Sequence, residues 1–475
     1  MDPTLPPAGI GLVPDAGLRR IDDGRVLIGG SPLRIVKLSD AGAAVVGAWI
    51  AGRVLADVKS ARQLARRLLD AGMVHPIVRR ADTPPPVTVV VPAKDDADDL
   101  SRLLPTIGQP TLLVDDASAD PVPIARVASE HGARVVRRSH NGGPGAARMT
   151  GLDEVDTELV VFVDADVELP DGWWESLAPH FDDPAVVAVA PRVMSPAGPS
   201  LRERYEAVHS PLDLGAAPGN VAPLRRIAYV PTAVFAVRVA AVRAVGGFDP
   251  ALRVGEDVDL VWRIASEVGT VRYAPEVVVH HRPRRSWLEM ARQRRFYGGS
   301  AVALTARHGH RVAPARCSRW SLAAWGLTAV GSPVAGTGVA AVSAVALARK
   351  LDGVPEAKRE AARIAGWGHL QAGLGLASAT SRVWWPIALF ASRARRLRPA
   401  VVIALVAPAT WGWWKGARPA DPARSIALRV IDDMAYGAGV WEQVVSQRDA
   451  RALAPDLTEW PGRRAAVEAG TVASS

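Results

Sequence analysis

The sequence predicts an α/β protein: a mostly parallel, Rossmann-like sheet, with a small winged-helix-like α+β unit before it and an apolar helical region after it. Three observations carry this. Between residue 87 and about 280, β-rich runs alternate with helical stretches, the pattern of a parallel sheet covered on both faces. Three prolines at 84–86 separate that region from an opening of different texture. Beyond 319 comes a stretch of 29 residues without a charge, 320–348.

Residues 1–80 read as an independent module. "GRVLIGGSPLRIVKLSDAGAAVV" gives short β-like runs and a Gly-Gly turn, then a helix start that Ser39 can cap. "ARQLARRLLDAGMVHP" places Leu64, Leu68 and Leu69 at helical spacing and closes on Gly72. Residues 81–86 are a linker, because consecutive prolines favour an extended path. In the next region the strands are 87–93, 111–118, 133–138, 158–166 and 185–193, with helices notably at 96–107 and 144–154. In such sheets ligands bind beyond the carboxyl ends of the strands, so the polar residues ending these runs are the candidates.

A chain of 475 residues suits two or three units. Its 57 Lys+Arg against 48 Asp+Glu suit phosphate-bearing ligands, nucleic acid or an anionic membrane face. Acids and bases are mixed in the first 80 residues without a basic recognition face, so no nucleic-acid partner is expected. The single cysteine, Cys317, excludes an intrachain disulfide and fits a reducing compartment. The opening residues lack a basic start followed by an apolar core, so no secretory signal is expected.

Residues 282–319 hold ten arginines and one acid, Glu289. The uncharged run 320–348 exceeds the roughly 20 residues that cross a bilayer, and apolar stretches recur at 383–392 and 399–414. Ala, Gly, Ser and Thr are abundant there, so a hydrophobic hairpin packed against protein is the competing reading. The expectation is a membrane-associated region at 320–414, with the arginines and the α/β region before them on the cytoplasmic side. Residues 415–475 form a C-terminal region, loosely ordered beyond 450.

The chemistry-bearing positions come in a fixed order. "VTVVVPAKDD" delivers Pro92, Ala93 and Lys94 to the sheet edge; in "LLVDDASAD", Asp115 and Asp116 leave the second strand. "NGGPGAAR" has glycines, Gly143 among them, that let backbone approach a ligand, and puts Arg148 on a helix whose start favours phosphate. "VVFVDAD" pushes Asp164 and Asp166 out of a buried strand, where they can hold a divalent cation through oxygen. "GGFDPALRVGEDVDLVWRI" places Glu256 and Asp257 before an amphipathic stretch, as a proton acceptor or as simple helix-start acids. Each alone is an ordinary turn or cap.

Together, over about 87–300, these motifs resemble the family-two glycosyltransferases, which have a GT-A fold; the corresponding domain is 87–319. The resemblance implies a nucleotide-sugar donor, usually a UDP sugar, and inversion in one displacement. By position, Asp115 or Asp116 binds the nucleotide, with Pro92, Gly143, Arg148 and Asp164 around the donor. Asp164 and Asp166 serve Mn2+ or Mg2+, and Asp257 is the base beside Glu256. "RQRRFYGGS" at 292–300 matches only in part the Gln-x-x-Arg-Trp motif of processive members, which leaves processivity open.

"LSDAGAAVVGAWIAG…LARRLLDAGMVHP" resembles PqqD-like peptide-recognition domains. A PqqD-like unit fused to a family-two transferase and followed by apolar segments resembles the glycosyltransferases of the mycofactocin system. That implies UDP-glucose as donor and a β-1,4-linked glucose chain. The acceptor would be the peptide-derived redox cofactor mycofactocin or its precursor. The alternatives are a membrane transferase acting on a lipid or cell-wall polysaccharide, and a non-catalytic relative.

Overall fold

Strand pairing in the computed structural model, which describes residues 4–458 apart from 352, 417 and 419, follows the β-rich runs of the sequence. The chain forms two units, one ending at Ser286 and one starting at Trp287.

The first unit begins with β1 (Gly11–Pro14), β2 (Arg19–Ile21), β3 (Val26–Gly29) and β4 (Arg34–Lys37), followed by α1 (Asp40–Ile50), α2 (Lys59–Asp70) and β5 (Val74–Ile77). β2, β3 and β4 form an antiparallel meander, and β1 pairs with β5. Ser39 Oγ accepts the Gly42 N–H at 3.2 Å, the N-cap that the sequence offers. α2 buries Ala61, Ala65, Leu68 and Leu69, one helical face, against Leu27, Val46 and Trp49.

Next come β6 (Val87–Ala93), α3 (Ala97–Ile107), β7 (Thr111–Asp115), α4 (Val122–Glu130), β8 (Arg134–Arg137), α5 (Pro144–Leu152), β9 (Leu159–Val163) and β10 (Val167–Glu168). They are followed by α6 (Trp173–Leu177), β11 (Val186–Met194), α7 (Leu201–His209), β12 (Gly219–Val221), β13 (Val234–Arg238), α8 (Val239–Ala244), α9 (Glu256–Glu267) and β14 (Thr270–His281). The sheet order is β10-β14-β11-β13-β9-β6-β7-β8, with β12 also on β14. β6, β7, β8, β9, β11 and β14 run the same way, and β10, β12 and β13 oppose them. This is the mostly parallel α/β sheet the alternation predicts. All five side chains of β9 are buried, as a strand covered on both faces requires.

The linker prolines are held in place: Trp174 Nε1 donates to the Pro85 carbonyl at 2.9 Å, and the Ala81 N–H donates to the Glu175 carbonyl at 2.8 Å.

The second unit is helical: α10 (Trp287–Gly298), α11 (Ser300–His308), α12 (Arg319–Ala329), α13 (Pro333–Ala348), α14 (Ala357–Arg382), α15 (Trp385–Ala391), α16 (Arg398–Lys415) and α17 (Pro422–Gln447). Two short strands, β15 (Arg316–Ser318) and β16 (Asp456–Thr458), pair in parallel. The expected bilayer span is corrected here. The uncharged run breaks at Gly331, whose φ is +91°, and restarts at Pro333, so it makes two short helices. α13 has 16 residues, and at about 1.5 Å per residue falls short of a ~30 Å hydrocarbon core. Among the described residues, no helix is long and apolar enough to cross a membrane. The order in β16 also revises the expectation of a loose tail beyond 450, the rest of which concerns residues 459–475, outside the described ones. In "RQRRFYGGS", Arg294 is buried and ion-paired through Nε with Asp432 Oδ1 at 2.8 Å. Gly439 of α17 lies so near the Arg295 carbonyl that a Cβ there would collide with it.

Candidate active site

The carboxyl ends of β6, β7 and β9 bring the predicted positions to one edge. β9 pairs with β6 only as far as Val90, so Pro92, which has no N–H to give, lies beyond that ladder. After β7 the two aspartates divide. Asp115 is buried; its Oδ1 accepts the Ser118 N–H at 2.9 Å and its Oδ2 pairs with Arg137 Nη1 at 2.5 Å. Asp116, also buried, accepts the Gly142 N–H at 3.0 Å and the Gly143 N–H at 2.8 Å, and lies 2.8 Å from Arg138 Nε. Asp115 therefore holds its own turn, while Asp116 shapes the glycine loop. Gly143 has φ +84°, which favours glycine, and Pro144 then starts α5. Asp95 and Ala117 both adopt left-handed backbone, at φ 60° each. They are linked through Ser118, whose Oγ accepts the Asp95 N–H at 2.9 Å. Strained backbone of this kind gathers where a site is held to shape.

α5 delivers Arg148, 3% exposed. Its Nη2 donates to Asp164 Oδ1 at 2.6 Å and its Nη1 to Glu256 Oε1 at 3.3 Å, and its guanidinium lies 5.5 Å from the centre of the Phe248 ring. One buried cation thus joins the aspartate after β9 to the start of α9. Gly145 permits this approach, since a Cβ there would press on Glu256 Cγ and Phe248 Cβ, both at 3.3 Å. Burial works against the Arg148 charge, but Asp164 and Glu256 more than offset it and hold its pKa above the ordinary value.

α9 begins at Glu256, so Glu256 and Asp257 occupy its first turn rather than precede it; Gly255, at φ +79°, is the N-cap. Burial, reinforced by the Asp257 charge, pushes Glu256 up to about 7. Burial also raises Asp257, against the pull of its bond from the Val258 N–H and of Arg148. Two carboxyls held above their usual range at a helix start suit proton transfer.

Asp166 turns the other way. Its Oδ1 lies 3.1 Å from His281 Nε2 and its Oδ2 3.6 Å from Arg284 Nη2. His281 Nδ1 is 3.1 Å from the Arg282 carbonyl, which only accepts, so Nδ1 carries a proton. Nε2 then faces a carboxylate oxygen, an arrangement that requires a proton or another cation between them. Burial lowers the His281 pKa, but Asp166 prevails and the net shift is upward. Asp166 correspondingly sits below its ordinary value, burial opposing and the His281 bond prevailing.

Among the described residues, no three acidic, histidine or cysteine side chains converge as a ready-made cation site. Asp166 and His281, with Asp164 across the same turn, are the donors whose chemistry fits a divalent ion. His281 lies outside the sequence motifs, although "VVVHH" ends an apolar run much as "VVFVDAD" does.

The glycosyl transferase family 2 model matches residues 88–243. Two curated relatives, pre-mycofactocin glycosyltransferases of Mycobacterium tuberculosis strains CDC 1551 / Oshkosh and ATCC 25618 / H37Rv, are each 38% identical over 471 residues, covering 96% of this chain and all of theirs. Among solved structures, the chain is similar to the mannosyltransferase PcManGT from Pyrobaculum calidifontis in complex with GDP-Man and Mn2+. That match has 18% identity and a TM-score of 0.46, covering 78% of this chain and 90% of that one.

Proposed function

The chain belongs to the pre-mycofactocin glycosyltransferases, with a glycosyl transferase family 2 domain at 88–243, and on that premise we propose that it transfers glucose from UDP-glucose to pre-mycofactocin in one inverting displacement. The observation that carries the reading is the carboxyl pair at the start of α9, both raised in pKa, with Glu256 tied through Arg148 to Asp164.

Glu256 is committed to Arg148, which leaves Asp257 as the base. Asp257 takes the proton of the acceptor hydroxyl as that oxygen bonds to the anomeric carbon. The bond from that carbon to the diphosphate breaks on the opposite face, and UDP departs with the electron pair. Arg148 holds Glu256 and Asp164 fixed while charge moves past them. Asp116 keeps the Gly142-Gly143 loop in shape for the donor, with Pro92 at its rim. When bound, Mn2+ or Mg2+ neutralises charge on the departing diphosphate, and Asp164, Asp166 and His281 are the residues that would hold it. Residues 1–80 act as a PqqD-like peptide dock, and repeated transfer gives a β-1,4-linked chain.

Mass spectrometry of the protein incubated with UDP-glucose, Mn2+ and pre-mycofactocin tests this. Hexose additions are expected, and Asp257→Asn should abolish them while leaving UDP binding nearly intact. Loss of UDP binding in that variant would contradict the base assignment. Absence of UDP release from wild-type protein would overturn the donor.

A further inference from the structure

The turn between β12 and β13 grips two parts of the first unit at once. On one side it holds the N-terminal module. Arg226 donates through Nη2 to Asp15 Oδ2 at 2.9 Å and through Nη1 to Asp15 Oδ1 at 3.4 Å. The Arg226 N–H donates to Ser31 Oγ at 2.6 Å, Arg225 Nη1 to the Asp70 carbonyl at 2.8 Å, and Asn220 Nδ2 to the Leu69 carbonyl at 3.0 Å. Asp15 is 8% exposed and is also braced within the module by His75 Nε2 and the Gly17 N–H, each at 2.9 Å.

On the other side the same segment holds the candidate site. The Ala228 carbonyl accepts Trp262 Nε1 at 2.6 Å, and Trp262 stands on α9, five residues after Asp257. The Ala233 carbonyl accepts the Asp164 N–H at 2.9 Å. Leu224, at the tip of the turn, has φ +67°, a left-handed conformation that a leucine keeps only where its surroundings impose it.

We propose that residues 220–233 are a coupling segment and that Arg226 is its positioning residue: it fixes the N-terminal module relative to Asp164 and α9, so that a peptide acceptor held on the module meets Asp257 in register. This rests on the acceptor reading above. The physical gain is effective concentration. An acceptor anchored on a rigid dock reaches the base without a fresh search, and small misplacements are costly. The bidentate grip on a buried carboxylate supplies the rigidity that a single surface ion pair would lack.

The test uses the full chain with UDP-glucose, Mn2+ and pre-mycofactocin, reading the acceptor KM, kcat and UDP release without acceptor. Arg226→Ala should raise the acceptor KM at least tenfold while acceptor-free UDP release stays within twofold of wild type. Arg226→Lys, which keeps the charge but not the fork, should recover part of the loss. An acceptor KM within twofold of wild type overturns the proposal. So does a parallel fall in transfer and acceptor-free release, which would make the turn a mere prop for α9. If Arg226→Ala loses its cooperative thermal transition, Ser31→Ala and Asn220→Ala must show the same split at smaller size, and an unchanged KM in both overturns it. Wild-type protein that leaves pre-mycofactocin unmodified fails the acceptor reading itself, an outcome distinct from an unshifted KM in the variants.

Discussion

Replacing Glu256 by Gln should make the protein less sensitive to rising pH, although the change removes one partner of a buried ion pair. Glu256 is 8% exposed, and burial, with Asp257 beside it, raises it from an ordinary 4.5 to about 7. A folded-state value above the unfolded one means that the folded protein binds the extra proton. Glu256 therefore contributes stability fully below about pH 4.5, and that contribution is lost as pH rises through 7. At 1.36 kcal/mol per pH unit, the loss amounts to about 3 kcal/mol. Glutamine keeps an oxygen that can accept from Arg148 Nη1, now 3.3 Å from Oε1, and it cannot ionise. The assay is thermal denaturation of wild-type and Glu256→Gln protein between pH 4.5 and 8.5. The difference between their transitions should shift with pH in favour of the variant by on the order of 5 °C, most of it below pH 7.5. Parallel curves would refute the reasoning, because they would mean that Glu256 ionises as freely in the folded chain as in the unfolded one.

Arg148→Met leaves Asp164 and Glu256 without their shared cation and should cost about 3–5 kcal/mol in urea denaturation at pH 8. The loss should shrink at pH 5.5 as Glu256 takes up a proton. His281→Gln should raise the Mn2+ concentration for half-maximal transfer at least about tenfold, with an unchanged requirement counting against His281 as a ligand. Asp15 is held well below the ordinary carboxyl range, burial opposing and the bonds from His75 and Arg226 prevailing. That stabilisation is present above about pH 4 and is lost progressively as pH falls further, so the gap in thermal stability between wild type and Asp15→Asn should narrow steadily from about pH 4 to about pH 2.5. A constant gap down to pH 2.5 would refute it.

Local sequence pattern was enough to place five of the six strands that run the same way and the edge at which the candidate site residues gather. β6, β8 and β11 fall within a residue of the predicted runs, because strands buried on both faces write a continuous hydrophobic signature, while β7 and β9 stop three residues short, where their runs turn to aspartate. It also determined which residues leave those strands, since an acid at the end of such a run has nowhere else to go. What it lacked was any marker of lateral pairing. β13 inserts antiparallel between β9 and β11, and β14 carries His281 to Asp166 from 115 residues away along the chain. Local pattern cannot encode a neighbour set by sheet order. The uncharged run at 320–348 shows the converse limit: its average polarity suggested one long span, yet a glycine with positive φ and a proline two residues on split it. The division of labour between Asp115 and Asp116 was likewise undecided until their partners came into view. Arg137, Arg138 and the glycine amides approach from other elements, and only the folded chain says which carboxylate each one meets.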